Sequence, residues 1–268
     1  MERIVGVESS HGFGDALFNL SLIKALSEHF SCKIGVATQP TCADAFVNIP
    51  WISEIIEIPA FWHGMKKLNE LGYQRTIQIT QNDKFFQFKN HDHNHSLIDT
   101  PLWTGRELGL PNFDQHPIFI PTEEEIRISN EYGQTLNGQP TIAIESIAKS
   151  GQSWADHNAI KMIIDRYINT HKILWLSNQG APEHPNVDNL LRYSRRQIIM
   201  FLQHCETFFS VGSGFLCGIL ALPPKEQPKH TVCLWVDDLY KYEYKLNDLQ
   251  WANIIWVHNH EELSIALN

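Results

Sequence analysis

The feature that most constrains this chain is an alternation of short apolar runs with amphipathic segments, starting at residue 3. Residues 3–8 (RIVGVE) have the length of a strand, and a glycine loop at 9–14 follows at once. Residues 15–30 place Ala16, Leu20, Ile23, Leu26 and Phe30 near one helical face, and 33–37 read as a second strand. Strand, helix and strand at this spacing form the βαβ unit of a parallel sheet. Residues 55–58 and 76–79 suit two further strands, and the polar, aromatic stretch 82–96 reads as a loop.

Residues 133–140 (GQTLNGQP) carry the turn-forming residues of a connection, and the alternation restarts behind them. Strands are expected at 141–145, 172–177, 207–211, 230–236 and 253–257, with helices at 157–169, 195–204, 215–222 and 261–267. A chain of 268 residues, 43% of them hydrophobic, has material for two α/β cores of ordinary size. The expected organisation is therefore an N-terminal domain over 1–137 and a C-terminal domain over 138–268, each Rossmann-like.

A formal charge of −9 argues against a broad nucleic-acid-binding surface, which draws its strength from Lys and Arg on phosphates. A local basic cleft lies outside that argument. The five cysteines, Cys32, Cys42, Cys205, Cys217 and Cys233, form no CxxC pair, and reduced, buried thiols are expected. The N-terminus has no signal-peptide pattern, and no apolar run approaches bilayer length, so a soluble, cytoplasmic protein is expected.

Two loops stand out as candidate sites. Gly12-Phe13-Gly14-Asp15 lies between the first strand and helix, where ligands of open α/β sheets bind. Asp15 there reads either as a capping residue after a tight turn or as an ionised general base in reach of an attacking hydroxyl. The loop lacks the GxGxxG order of a nicotinamide site. Gly212-Ser213-Gly214, after the strand at 207–211, reads either as an anion-binding turn suited to a diphosphate or as a turn for close packing of helix on strand. His91, His93 and His95 alternate in the polar loop and read as a solvated cluster rather than a zinc site. Arg192, Arg195 and Arg196 read as a basic patch facing solvent or a phosphate. Trp235-Val236-Asp237-Asp238 reads as a pocket edge or a surface turn.

The run GFGDALFNLSLIKALSEHF resembles the glycine–Asp helix opening of the ADP-heptose:lipopolysaccharide heptosyltransferases, glycosyltransferase family 9. IAIESIAKSGQSW (142–154) resembles that family's strand and basic loop ending in Lys-x-Trp. LQHCETFFSVGSGFLCGILAL (202–222) resembles its Asp-Thr-Gly-x-x-His phosphate loop. The resemblance implies a GT-B fold, with two Rossmann-like domains facing across a cleft. It implies an inverting, metal-independent transferase with no cofactor, moving a sugar from a nucleotide-diphosphate sugar to an acceptor hydroxyl, most naturally of a glycan. Asp15 matches the catalytic base, Ser213 and Gly214 the phosphate-binding Thr-Gly, and Trp154 the aromatic residue closing the basic loop. Gly12 and Gly14 flank the donor-side approach to Asp15.

The chain departs from the family at three positions. Gly212 replaces an Asp, Cys217 a His, and Gln152 the Lys that neutralises the leaving diphosphate, with Lys149 three residues earlier as a substitute. No Asp-x-Asp motif is present for a metal-bound diphosphate. These departures leave open a binding protein with impaired catalysis, and a transferase acting on a modified nucleobase or a protein.

Overall fold

The computed structural model describes residues 2–9, 12–60, 63–79, 99–110, 112–147, 153–178, 180–235 and 254–268. The chain forms two compact units that divide between Ile120 and Pro121. Each unit is built on one sheet whose strand pairs are all parallel. Among the described residues, no helix is long and apolar enough to cross a membrane.

In the first unit, β1 (Val5–Glu8), β2 (Ile34–Thr38), β3 (Ile52–Glu57) and β4 (Arg75–Gln78) lie in the order β3-β2-β1-β4. The helix Phe13–Phe30 is covered along most of its circumference, and Phe13, Leu17, Leu20, Ile23 and Leu26 are buried. Its two buried polar side chains are paired: Asn19 Nδ2 donates to Ser9 Oγ at 3.0 Å and Ser21 Oγ to the Phe18 carbonyl at 2.7 Å. Burial without such partners would forfeit the hydrogen bonds these groups make to water. Ser31 ends the helix in the left-handed region at φ 51°, returning its N–H to the last turn. Across the sheet, the Tyr73 ring lies so close to β2 that a Cβ at Gly35 would sit 1.8 Å from its hydroxyl oxygen. Tyr73 donates to Glu54 at 2.7 Å, and Arg3 grips the same carboxylate at 2.8 and 3.3 Å.

The second unit is larger. β5 (Thr141–Ile144), β6 (Lys172–Trp175), β7 (Val187–Asn189), β8 (Thr207–Ser210), β9 (His230–Leu234) and β10 (Ile254–Val257) form a sheet in the order β10-β9-β8-β5-β6-β7. Ile142, Ile144, Ile163, Ile173, Trp175, Phe209, Val232, Leu234 and Val257 form its core. Asp156 caps the helix His157–Tyr167 by accepting from the Ala159 N–H at 2.8 Å.

The division falls ahead of the expected join at 137/138, because residues 123–135 are a helix and belong to the second unit. Thr122 and Glu125 form a capping box at the start of this helix, Glu123–Thr135. Glu125 then binds Arg196 of the helix Arg195–Leu202 through two bonds, at 2.6 and 2.8 Å. Ser129 donates to the Met200 carbonyl at 2.8 Å, and Tyr132 stacks on Phe201 with ring centroids 4.2 Å apart. Gly133, expected in a connecting turn, sits inside the helix, where a Cβ would meet the His204 ring at 2.6 Å. Arg196 is only 3% exposed, so it serves neither solvent nor a phosphate. Arg192 pairs with Asp188 at 2.8 Å.

A buried ion pair holds only while both partners remain, since removing one strands the other away from water. Arg196→Ala is expected to lower unfolding stability by about 3 kcal/mol in urea titration, with Glu125 left uncompensated.

Candidate functional site

In an all-parallel sheet, ligands gather where the strand order reverses, since the loops leaving the two strands there run in opposite directions and open a crevice. The reversal falls between β1 and β4 in the first unit and between β5 and β8 in the second. Both sequence-selected loops are at these points: Gly12–Asp15 follows β1, and Gly212–Gly214 follows β8.

At the first loop, Gly12 is the N-cap of the helix Phe13–Phe30 and Asp15 its third residue. The carboxylate turns back, and its Oδ2 accepts the Gly12 N–H at 2.7 Å. This is the capping role weighed for it, and the half-exposed position also leaves the side chain open to solvent. The partial positive charge of a helix N-terminus favours a negative group there, and a general base acts in its charged form. Gly14 is buried in the first turn. Immediately before the loop, Glu8 is fully buried, with Oε2 accepting the Met65 N–H at 3.2 Å.

At the second loop, Gly212 takes φ +73°, and a Cβ there would lie 2.2 Å from the Trp235 ring. Both facts call for glycine at 212, so Trp235 occupies the space in which the resembled family carries an Asp side chain. Ser213 is the half-buried N-cap of the helix Gly214–Leu220, and its Oγ accepts the Phe215 N–H at 3.0 Å. Cys217, at the resembled family's His position, is a buried thiol that forms no disulfide.

Trp154 reaches the same end of the sheet by another route. Its Nε1 donates to the Val257 carbonyl at 2.6 Å, and that oxygen also accepts the Trp235 N–H at 2.9 Å. Its ring meets His260 edge to face at 5.0 Å. Trp154 therefore fastens the end of its loop to β10, while Trp235 lies against Gly212. Lys149 and Gln152, like His91, His93, His95, Asp237 and Asp238, lie outside the described residues. No cluster of three or more His, Cys, Asp or Glu among the described residues could hold a metal.

Sequence reasoning missed Glu145. It follows β5 and is 3% exposed, with Oε2 taking hydrogen bonds from Ser210 Oγ at 3.2 Å and from the Val211 N–H at 3.5 Å. Burial pushes this carboxyl up to about 7 against those hydrogen bonds, and no cation among the described residues offsets it. A signal for it was present in the sequence: the first strand of each unit ends in Glu-Ser, VGVES at 5–9 and IAIES at 142–146.

No family model and no curated protein matches the sequence. Solved structures do. A family 9 glycosyl transferase from Veillonella parvula matches with a TM-score of 0.67 at 12% identity, over 99% of this chain and 91% of that one. The ADP-heptose lipopolysaccharide heptosyltransferase II of E. coli matches with a TM-score of 0.62 at 15% identity, over 97% and 93%. E. coli heptosyltransferase WaaC, solved with ADP-2-deoxy-2-fluoro heptose, matches with a TM-score of 0.57 at 13% identity, over 97% and 95%. At these identities the likeness is one of fold. The chain has the α/β architecture of GT-B glycosyltransferases, with two parallel sheets of four and six strands, and the resemblance seen in three short motifs extends to nearly its whole length.

A carboxyl that holds its proton more tightly folded than unfolded stabilises the fold below its unfolded pKa. That stabilisation is lost as pH rises toward the folded value. For Glu145 the window runs from 4.5 to about 7. Urea unfolding of the wild type, relative to Glu145→Gln, is expected to lose on the order of 3 kcal/mol across that window. A difference that stays flat with pH would contradict the raised carboxyl.

Proposed function

We propose that this protein is a glycosyltransferase that moves a sugar from a nucleotide-diphosphate sugar to an acceptor hydroxyl, with inversion and without a metal. The observation that carries this reading is the full-length fold match to sugar-transferring proteins, one of them solved with an ADP-sugar. Fold alone does not specify chemistry, so the reading also leans on the two loops at the strand-order reversals. Both hold groups of the required kind: a half-exposed carboxylate in one unit and a hydroxyl beside a glycine turn in the other.

In this reading Asp15 accepts the proton of the acceptor hydroxyl as its oxygen attacks the anomeric carbon. The bond from that carbon to the diphosphate breaks, and the diphosphate leaves toward Ser213 and Gly214. Lys149 supplies positive charge in place of the metal, with Gln152 and Trp154 on the same loop, since fixed charge at the departing oxygens is the largest contribution such a site makes. The acceptor is a hydroxyl on a glycan. Five cysteines that form no disulfide suit a reducing compartment such as the cytoplasm.

A second reading, nucleotide-sugar binding without turnover, is favoured by one observation. The Ser210 hydroxyl beside the glycine turn is already engaged by the protein's own Glu145.

Asp15→Asn keeps an oxygen to accept the Gly12 N–H but cannot take a proton. Transfer across a panel of nucleotide sugars is expected to fall by at least about a hundredfold while donor binding stays within about twofold. Full transfer by this variant would remove Asp15 from the mechanism. Saturating EDTA is expected to leave wild-type transfer unchanged, and loss of activity restored by a divalent ion would overturn metal independence.

A further inference from the structure

The helix Phe13–Phe30 holds the chain that enters it at two points, from consecutive turns of one face. Asp15 takes the Gly12 N–H on its Oδ2 at 2.7 Å, so closely that a Cβ at Gly12 would lie 2.9 Å from that oxygen. Asn19, one turn further along the same face, donates from Nδ2 to Ser9 Oγ at 3.0 Å. Ser9 directly follows β1, and its own N–H continues the ladder to the Ala37 carbonyl at 3.0 Å. Asn19 is 2% exposed and Ser9 1%, so this bond ties the strand end to the helix away from water. The two bonds bracket the connection that leads to Asp15: Asn19 holds its first residue and Asp15 its last.

The pairing is selective. Glu8 lies beside Ala37 in the β1–β2 register, which places Thr38 next to Ser9. Ala37 packs with Leu68 and Tyr73, so Thr38, one position on, points to the opposite face, the one Ser9 turns to the helix. Two buried hydroxyls thus stand side by side, yet Thr38 Oγ1 has no partner among the described residues. An amide that only satisfied a hydroxyl in this space could serve either one. Asn19 goes to the one that leads into the Asp15 loop.

We propose that Asn19 is a positioning residue for the general base: its bond to Ser9 fixes the start of the helix against the end of β1, and so sets where the Asp15 carboxylate stands when an acceptor hydroxyl approaches. This rests on Asp15 being the base of the proposed transferase, and adds the residue that keeps it in place. A general base works only within hydrogen-bond reach of the proton it takes, and a displacement of about 1 Å can cost up to about a hundredfold in rate. With an apolar residue at 19, the Gly12–Asp15 bond persists but moves with a helix end no longer pinned to the strand.

The test is steady-state transfer by the full chain, using whichever of a panel of nucleotide sugars and glycan acceptors serves the wild type best. Asn19→Leu, Ser9→Ala, the double variant and Thr38→Val are compared, with calorimetric ADP binding measured on each. Asn19→Leu and Ser9→Ala are each expected to lower kcat about tenfold, while the donor KM, the ADP dissociation constant and the ADP sites per chain stay within about twofold. The double variant is expected to lose no more than either single one, because both remove the same bond. Thr38→Val, which deletes the neighbouring unpartnered hydroxyl, is expected to keep the wild-type kcat. Should Asn19→Leu fail to fold, Ser9→Ala reports on the same bond with the helix unaltered. Three results would overturn the role of Asn19 and leave the transferase standing: unchanged kcat in the single variants, losses that multiply in the double variant or recur in Thr38→Val, and a fall in ADP sites that matches the fall in kcat. Absence of transfer by the wild type across the whole panel would overturn both.

Discussion

The parallel arrangement of both sheets is the constraint from which the rest follows. Parallel strands need a crossover after every strand, so all their loops of one kind collect at one sheet end, and the strand order must reverse somewhere to cover both faces. In each unit the reversal lies beside the first strand, β1 or β5. That geometry, rather than any single side chain, brings Asp15 and Glu8 to one edge and Glu145, Ser210 and Ser213 to another. It also explains why a carboxylate closes each first strand. The segment beyond it turns away over the sheet, and an acceptor there satisfies backbone N–H groups of a neighbouring element: Met65 in one case and Val211 in the other.

Much of this frame is legible in the residues. The first βαβ unit, the six strands of the second sheet save β7, and the turn at 212–214 are carried by local patterns: apolar runs of strand length and glycines at strand ends. The helix Glu123–Thr135 is not legible in that way. Its sequence EEEIRISNEYGQT has few apolar residues, and it is anchored by specific partners, Glu125 on Arg196, Ser129 on Met200 and Tyr132 on Phe201. Such pairs join residues some seventy positions apart and leave no periodic trace. Its Gly133, read locally, is a turn former; packed against His204, it is a point of close contact.

The candidate site divides along the same line. Gly12, Asp15, Ser213 and Gly214 were visible as loop residues at helix starts, and so is the ambiguity of Asp15, since capping and proton abstraction use the same carboxylate. Glu145 was hidden because a Glu after IAI reads as the polar end of a strand. Ser210 and Val211, the residues that hydrogen-bond it from the end of β8 and the segment beyond, come from a distant part of the chain, a non-local event that reverses the ordinary meaning of the residue. Within the basic patch at 192–196, Arg196 misled for the opposite reason, as charge in sequence says nothing of a partner such as Glu125, while Arg192 does face solvent.

Positions 212 and 235 have one further consequence. The Trp235 ring fills the space that a side chain at 212 would need, and its backbone is bound to the Val257 carbonyl, which Trp154 also holds. An acidic residue cannot be grafted at 212 by one exchange. The indole would have to shrink in the same step, and the backbone at 212 would have to leave its left-handed conformation. The two sites should vary as a linked pair, so that a lineage drifting between glycine and aspartate here would cross a trough of poorly packed intermediates unless both codons changed together.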